Sequence, residues 1–365
     1  MSDFKLTNLA VNMHFPGNVA QLDDAGMPSL MVWIPAFKLS DVLNTTDDSI
    51  HPAFIVNGSQ IPGFWYSKYQ NIVHKGKAYS LPGEDPTTQI EINDLIGCCE
   101  AKGYGWHLST AAEWAAIALW CKKNGTQPYG NNCYGRDSRE SNNKAIPTSQ
   151  HSDNSDKTGR VATGTGPLKW SHDNTRAGIW DMNGNVLEWL GGMRFVWGEL
   201  QILAYNDAAD PDNPQNDSST CWKAINAADG SLVEPESKIT DTAVKAAGNT
   251  VKLDYLNETW TFSTGISNPS NQYRGCLFAN MACSDEIGDA AKLMLRSLAI
   301  LPDEGSSSGD YQSDRVYATN GVSLRKVVRG GAWTYETQSG VFMFDASLKA
   351  SSSHTGFRAT YIPNI

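Results

Sequence analysis

The stretch Gly178-Ile-Trp-Asp-Met-Asn-Gly-Asn-Val-Leu-Glu-Trp189 decides the fold of this chain. Apolar and aromatic residues flank the pair Gly184-Asn185, and such a pair suits a tight turn in which the backbone φ angle is positive. Two carboxylates, Asp181 and Glu188, lie on either side of that turn. The stretch therefore predicts a turn that is held within an aromatic core.

The strongest helix signal lies on the N-terminal side of this stretch. Thr110-Ala-Ala-Glu113 has the form of a capping box, and Gly125 follows as a stop signal. One apolar face follows the cap, made of Trp114, Ile117, Ala118 and Cys121. The same reasoning predicts further helices over 91–102 and 286–300, and strands over 29–37 and 61–69.

The composition excludes several classes of function. The chain has 365 residues, with 29 basic against 39 acidic side chains and a net charge of −10. Such a chain lacks the basic face that sequence-independent binding to nucleic acid requires. No apolar stretch approaches the roughly 20 residues of a membrane span. The N-terminus shows no Sec signal pattern, so we expect a virion location or export by another route.

Four segments in sequence order resemble the formylglycine-generating-enzyme/sulfatase-modifying-factor family. They are Met31-Val-Trp-Ile-Pro35 followed by Gly63–Tyr69, Gly105–Trp114, Gly178–Trp189, and Val328-Arg-Gly-Gly-Ala-Trp333 closed by Gly356-Phe-Arg-Ala359. The resemblance implies an α+β, C-type lectin-like fold with little regular secondary structure and long inserted loops. It also implies that the residues of these segments, including Arg329 and Arg358, mainly hold the fold.

The resemblance divides the chain into four parts. We expect an N-terminal extension over 1–28 and a single C-type lectin-like domain over 29–365. Within that domain we expect an insertion over roughly 195–325 and a variable surface over 333–359.

The cysteines argue against the chemistry of the oxidase members of this family. Those enzymes bind copper through two cysteines shortly after the Arg-Gly-Gly segment, whereas here no cysteine follows Cys283. A copper(I) site needs soft thiolate ligands, so we expect a protein that is not an enzyme. Two alternatives stay open. One is a copper-dependent oxidase whose site is displaced to Cys276 or Cys283, and the other is a purely structural virion component.

The turn around Gly184 also resembles a calcium loop of the family. The carboxylates of Asp181 and Glu188 and the carbonyls of Gly184 and Val186 would be the ligands, and hard oxygen donors suit Ca²⁺. In the alternative interpretation Asp181 caps a turn and Glu188 pairs with a buried arginine. We expect no other cofactor.

The last segment alternates between two faces over 341–348. Phe342, Phe344, Ala346 and Leu348 form a plausible core face, while the positions around them have no consistent type. This pattern resembles the variable region of proteins that are diversified by retroelements, which display ligand-binding surfaces on a lectin fold. The ligand-binding residues that it predicts are Thr334, Tyr335, Thr337, Met343, Asp345, Ser347, Lys349, Ser351, Ser353 and His354.

This second resemblance implies a function. We expect a receptor-binding protein of a phage tail or a bacterial cell-surface adhesin. Its partner would be a protein or a glycan on a target cell. Display as a homo-oligomer or in many copies would raise the overall affinity without new contacts.

Overall fold

The computed structural model describes residues 3–363. The α-helices in this range are α1 (Asp3–His14), α2 (Leu39–Val42), α3 (Ile92–Glu100), α4 (Ala111–Asn124) and α5 (Asp289–Ser297). None of the described helices combines the length and the apolar composition that crossing a bilayer requires.

The rest of the regular structure is extended. The strands of the described chain are β1 (Asn18–Leu22), β2 (Pro28–Pro35), β3 (Ile55–Val56), β4 (Ser59–Gln60), β5 (Gly63–Ser67), β6 (Ile72–His74), β7 (Lys77–Tyr79), β8 (Trp106–Leu108), β9 (Gln150–His151), β10 (Asn154–Thr158), β11 (Leu187–Val196), β12 (Glu199–Ile202), β13 (Lys223–Ile225), β14 (Leu232–Val233), β15 (Lys252–Leu256), β16 (Thr259–Ser263), β17 (Arg274–Leu277), β18 (Ala282–Cys283), β19 (Arg315–Ala318), β20 (Arg325–Arg329), β21 (Phe344–Ala346), β22 (Thr355–Phe357) and β23 (Ala359–Tyr361).

A five-stranded sheet joins the two ends of the chain. Its strand order is β1-β2-β5-β23-β8, so the C-terminal strand β23 lies between two strands of the N-terminal third. The expectation of a separate extension over 1–28 is corrected here, because Asn18 to Leu22 pair with Val32 to Pro28 along the edge of this sheet. The edge strand β1 is therefore part of the domain.

A twelve-stranded sheet carries the C-terminal segment. Its main path is β17-β19-β21-β20-β11-β12-β15-β16-β18, with β13, β14 and β22 attached beside it. Strands β12 to β19 all lie within the segment expected to be an insertion, and β19 pairs directly with β21 of the C-terminal segment. The segment thus builds the sheet next to the predicted surface.

Helix α4 confirms the prediction from local signals. The Thr110 hydroxyl accepts from the Glu113 backbone N–H at 3.1 Å, and the Glu113 carboxylate accepts from the Thr110 N–H at 3.0 Å. Gly125 ends the helix with a φ of 65°. The helices predicted over 91–102 and 286–300 are present as the shorter α3 and α5.

Two apolar cores lie against the large sheet. The first core surrounds Trp114 of α4 and includes Phe342, Phe344 and Ala346, as the alternation predicts. The second core contains Trp106, Trp189, Val328, Trp333, Met343 and Phe357. Leu348, which was predicted on the Phe344 face, packs instead at the margin of the second core, because β21 ends at Ala346 and the alternation ends with it.

Candidate ligand-binding surface

A buried ion pair fixes the frame on which the C-terminal segment lies. The Arg358 guanidinium donates to both carboxylate oxygens of Glu188, at 2.8 and 3.0 Å, and it also donates to the Ser67 carbonyl. Both side chains are almost fully buried. Arg358 directly follows β22, and Glu188 lies on β11, which pairs with β22. The pair therefore locks the end of the segment to the centre of the sheet.

The second arginine of the frame is buried without a paired carboxylate. Arg329 donates to the carbonyls of Leu298 and Ala299, each at 2.9 Å. Burial lowers the pKa of Arg329 to about 9. Both predictions of buried, hydrogen-bonded arginines are thus confirmed, and Arg329 ties the start of the segment to the chain that follows α5.

The ten predicted ligand-binding residues, called the C-terminal surface below, differ in exposure. Thr337 and Lys349 are exposed. Six more are half-buried, namely Thr334, Tyr335, Ser347, Ser351, Ser353 and His354. Met343 and Asp345 are buried, at 0% and 1% relative exposure. Eight of the ten are therefore within reach of a partner.

Asp345 is a correction to the sequence-based prediction. It lies on β21 between two strands, opposite Tyr317 on one side and Val328 on the other. One carboxylate oxygen accepts from both the backbone N–H and the hydroxyl of Ser347, at 2.7 and 2.6 Å. Burial raises the pKa of Asp345 to about 6. This side chain organises the segment from beneath and does not lie on the surface.

Met343 is the second correction. It belongs to the second core together with Trp333 and Phe357, and its backbone N–H donates to the Gly340 carbonyl at 3.1 Å. The sequence places it on the face opposite Phe344, and that face is covered by an apolar core in the structure. The Met343 side chain is therefore part of the buried core beneath the C-terminal surface.

Three tyrosines form a cluster above Asp345. The rings of Tyr273 and Tyr317 stack at 4.8 Å with 15° between their planes, and Tyr317 meets Tyr335 edge-on at 6.4 Å. Tyr273 is 60% exposed, and its partner Tyr317 is buried. The Tyr317 hydroxyl donates to the side-chain carbonyl of Gln338. Of this tyrosine cluster the sequence predicts only Tyr335, since Tyr273 and Tyr317 come from β17, β19 and their flanks.

The other end of the C-terminal surface is built on a stacked pair. The ring of His354 lies 4.1 Å from that of Trp333 with only 12° between the planes. Burial, with the positive fields of His151 and Arg160, lowers the pKa of His354. The Arg160 guanidinium stands 5.9 Å from the Trp333 ring and is held by both oxygens of Asp85. This end is thus aromatic and rich in cationic side chains.

Ser351 has a structural task within the surface. Its hydroxyl donates to the Ile90 carbonyl and accepts from the indole N–H of Trp189 at 3.0 Å. Its backbone N–H donates to the Glu91 carboxylate. Ser351 therefore fastens the segment to the start of α3 and is a poorer candidate for ligand contact than Thr337 or Lys349.

The predicted turn at Gly184-Asn185 is confirmed. The φ angles are 79° at Gly184 and 61° at Asn185. A Cβ on Gly184 would lie 2.3 Å from the Asn131 carbonyl. Both the conformation and the close approach therefore require glycine here.

The predicted calcium ligands surround an amide group. The side-chain nitrogen of Gln70 donates to the carbonyls of Asp181 and Val186 and to the Glu188 carboxylate, at 3.0 to 3.1 Å, and lies 3.4 Å from the Gly184 carbonyl. The Asp181 carboxylate accepts elsewhere, from the Gly164 N–H at 2.8 Å. The carbonyls of Asp181, Gly184 and Val186 and the Glu188 carboxylate thus surround one point. That point is occupied by a hydrogen-bond donor, the side-chain nitrogen of Gln70.

A chain of hydrogen bonds fixes the orientation of that amide. The Val161 backbone N–H donates to the side-chain oxygen of Asn185 at 2.9 Å. The Asn185 nitrogen must then face the Gln70 oxygen, to which it donates at 2.9 Å, and this leaves the Gln70 nitrogen facing the carbonyls. A calcium ion does not fit beside that nitrogen while the amide keeps this orientation, and calcium binding stays a prediction. The alternative, in which Glu188 pairs with a buried arginine, is the one the structure contains.

The alternative of a displaced copper site rests on Cys276 and Cys283. Cys276 lies in the first core, and Cys283 packs against it. Burial raises the pKa of both thiols, that of Cys283 to about 11. Copper ligation and nucleophilic attack need the thiolate, which burial disfavours. No cluster of three or more His, Cys, Asp or Glu side chains that could hold a metal occurs in the part of the chain that the structure describes.

Comparison with known families decides the assignment. The profile of the sulfatase-modifying factor enzyme 1-like domain matches residues 10–199, which is more than half of the chain. The chain belongs to this family. The predicted α+β fold of the C-type lectin-like, formylglycine-generating type is thereby confirmed. The family match ends inside β12, so the C-terminal surface lies beyond it, although β23 returns to the N-terminal sheet.

The solved structures that match this chain have low sequence identity to it. PvdO from Pseudomonas aeruginosa is 13% identical, with a TM-score of 0.33, and the match covers 92% of this chain and 94% of that one. The U1 and P3c variants of the Major Tropism Determinant are 10% and 9% identical, each with a TM-score of 0.27. These matches cover 91% and 93% of this chain, and 62% and 70% of the determinants. The search of curated proteins found no match.

Proposed function

We propose that this protein is a ligand-binding protein that captures a protein or glycan on a target cell through its C-terminal surface. The observation that carries the proposal is the contrast within one short segment. Trp333, Phe342, Phe344 and Phe357 are at most 4% exposed, whereas eight residues interspersed among them remain accessible. Such a segment can change its surface without changing its core.

The rigidity of the frame favours binding. Tyr317 and Asp345 lie on paired strands, and the Glu188–Arg358 pair holds the far end. Side chains held on such elements lose little conformational entropy when they bind a partner. Frames of this kind also tolerate replacement of their outward residues, because exposed sites usually change stability by no more than about 0.5 kcal/mol.

The tyrosine cluster supplies the anchors that a protein or glycan partner needs. A tyrosine offers a large apolar ring with a polar tip at a small entropy cost, as in antibody paratopes. Tyr273 is already stacked on Tyr317, so its exposed ring is held before a partner arrives. We place the centre of binding at Tyr273 and Tyr335, with Thr337 and Ser347 around them.

The proposed function also implies where the protein acts. A protein that displays a changeable surface fits a phage tail or a bacterial cell surface, where many copies act together. Multivalent display raises the overall affinity although each contact is weak. Sequencing the gene and its neighbouring genes across a population tests whether a retroelement diversifies the C-terminal segment. We expect substitutions concentrated at the accessible positions, near a reverse-transcriptase gene and a near-repeat of the segment that encodes 333–359. Variation scattered evenly over the chain contradicts it.

Two libraries in the full chain test the binding proposal directly. The first randomises accessible positions, namely Thr334, Tyr335, Thr337, Ser347, Lys349 and Ser353. The matched control randomises buried positions of the same segment, namely Trp333, Phe342, Met343, Phe344, Ala346 and Phe357. We expect most members of the first library to melt cooperatively and some to capture new targets from a panel of immobilised proteins and glycans. The control should mostly fail to fold. Equal loss of folding in both libraries, or folded members without any capture, overturns the proposal.

A further inference from the structure

A cavity of about 240 Å³ lies on the N-terminal half of the domain, away from every residue of the C-terminal surface. Strand β2, helix α4 and the loop over 172–177 form its walls. The lining residues that matter here are Trp33, Phe37, Ile117, Trp120, His172 and Asp173. Neither the Glu188–Arg358 ion pair nor the tyrosine cluster contributes a residue to the lining of this cavity.

Three half-buried aromatic rings line the cavity, and each is held by a neighbour. The Trp33 ring lies 4.9 Å from that of Trp65, and the Phe37 ring lies 4.9 Å from that of Phe54. Trp120 packs 5.2 Å from the His172 ring. The walls are therefore rigid apolar plates.

A buried histidine adds a hydrogen-bond donor of fixed orientation. His172 is 6% exposed, and its Nδ1 accepts from the Ile179 backbone N–H at 2.8 Å. That bond requires the proton on Nε2, and burial lowers the pKa of the ring to about 4, so the ring is neutral near pH 7. Within the described chain no hydrogen-bond acceptor is found for the Nε2–H. The Nε2–H does not belong to the enclosed side-chain groups that lack a partner, so that side of the ring is open to water or a ligand.

The rest of the lining adds a hydrogen-bond acceptor to these apolar faces. Beside His172, the Asp173 carboxylate accepts from the Ser171 hydroxyl and from the backbone N–H and hydroxyl of Thr175, and a lone pair remains on Oδ2. The cavity thus offers one donor, the His172 Nε2–H, and one acceptor, the Asp173 carboxylate, among aromatic plates.

We propose that this cavity binds a single sugar ring of the pyranose type. Its C–H bonds would face the electron-rich ring faces of Trp33, Phe37 and Trp120. Its hydroxyls would accept from the His172 Nε2–H and donate to the Asp173 carboxylate. An apolar guest would displace water from the His172 N–H and the Asp173 carboxylate without replacing those hydrogen bonds, and an anion would meet the negative charge of Asp173.

The size of the cavity agrees with one ring. Pockets for drug-sized ligands measure about 300–1,000 Å³, so 240 Å³ suits a monosaccharide or the end of a glycan chain. The site goes beyond the proposed function, because it shares no residue with the C-terminal surface. A variant of either site therefore leaves the other intact.

Titration of the full chain with the methyl glycosides of glucose, galactose, mannose and N-acetylglucosamine tests the proposal. Tryptophan fluorescence and calorimetry follow binding. We expect at least one glycoside to bind with a Kd in the millimolar range or tighter. Trp120→Phe keeps an aromatic ring but reduces the face that stacks against the sugar, and it should weaken binding several-fold. Asp173→Asn should weaken it further by changing the acceptor pattern.

Trp197→Phe is the matched control, since Trp197 is half-buried and lies outside the cavity. It should leave the Kd unchanged, and the melting temperatures of all variants show that they fold. Three outcomes of the sugar and indole titrations overturn the proposal. They are the absence of binding by every glycoside, equal affinity in Trp120→Phe and the wild type, and saturable binding of indole without binding of any sugar. A change in tryptophan fluorescence when the protein is diluted without any sugar also overturns it, because copies of the chain would then cover the cavity.

Discussion

The imidazole of His354 stacks on the indole of Trp333, with ring centres 4.1 Å apart and planes 12° from parallel. These residues stand at opposite ends of the predicted variable segment. Their contact closes the segment into a loop whose base is the second core, where Trp333 packs with Phe357. One face of the histidine is therefore part of the frame, although the residue is only half-buried.

Replacement of His354 tests this closure. His354→Ala should lower the free energy of unfolding by about 0.5–1.5 kcal/mol, the usual contribution of an aromatic pair beyond burial. Ser353→Ala, at the neighbouring half-buried position, should change it by less than about 0.5 kcal/mol. Urea unfolding near pH 7.5 measures both. Equal values for the two variants would show that the stacking contributes nothing.

The same contact predicts a dependence on pH. Because the folded protein holds the pKa of His354 below its usual value, the unfolded chain takes up a proton first as the pH falls. The contribution of His354 to stability is therefore complete above about pH 6.5, the unfolded value. It decreases as the pH drops toward the folded pKa. The stability difference between the wild type and His354→Ala should shrink over that range.

Asp345 predicts a pH effect of the opposite sign. Its folded pKa of about 6 lies above the ordinary value of 3.8, so the folded state binds the proton more tightly than the unfolded chain. The ionised carboxylate then destabilises the protein above pH 6, by roughly 3 kcal/mol at about 1.4 kcal/mol per pKa unit. Asp345→Asn keeps an acceptor for Ser347, so it should stabilise the protein at pH 8, and the gain should disappear toward pH 4.

Asp254 is the matched control for this measurement. Its carboxylate is also buried, but it accepts from the backbone N–H groups of Ser267 and Asn268, and its pKa is lowered. Asp254→Asn should therefore destabilise the protein at pH 8. Urea unfolding of both variants at a series of pH values provides the comparison. A gain for Asp345→Asn that is the same at every pH would contradict the assignment.

The features that were predictable from the sequence depend on neighbours along the chain. The cap of α4 needs only Thr110, Glu113 and Gly125, which lie within sixteen residues of each other. The turn at Gly184 needs only a glycine and an asparagine in sequence. The buried arginines followed from the family resemblance, because their partners Glu188 and Leu298 lie far from them in sequence.

The features that were missed depend on contacts between distant segments. Asp345 and Met343 were predicted to be surface residues. The alternation distinguishes two faces of the strand, but it does not show which residues pack against each face. Tyr317, from the segment expected to be inserted, lies beside Asp345 and closes one side. Gln70 fills the supposed calcium site from 111 residues before Asp181. A single sequence contains no local signal for either contact.

Calcium provides a direct test of the role of Gln70. Because the Gln70 amide donates into the ring of carbonyls, adding calcium or a chelator should leave the melting temperature of the wild type unchanged. Gln70→Glu places a second carboxylate beside Glu188, so this variant should be less stable, and calcium should restore part of the loss. Differential scanning calorimetry measures both proteins. A saturable rise in the wild-type melting temperature with calcium would show that the ion displaces the amide.

The division of the C-terminal segment into frame and surface gives the last prediction. Phe344 is fully buried and stacks on Phe195 at 6.1 Å, so Phe344→Ala should lower the free energy of unfolding by about 3–5 kcal/mol. Thr337 and Lys349 are exposed, so their alanine variants should change it by at most about 0.5 kcal/mol.

Tyr335 distinguishes this division from a segment that is core throughout. It is half-buried, and it touches the sheet through the edge of Tyr317. Tyr335→Ala should therefore cost well under half of the Phe344→Ala value, while it removes most of the capture measured for the full chain. Melting scans and capture assays on the same preparations separate the two effects. If Tyr335→Ala destabilises as much as Phe344→Ala, the ring belongs to the frame, and the surface must lie at the other accessible residues such as Thr337 and Lys349.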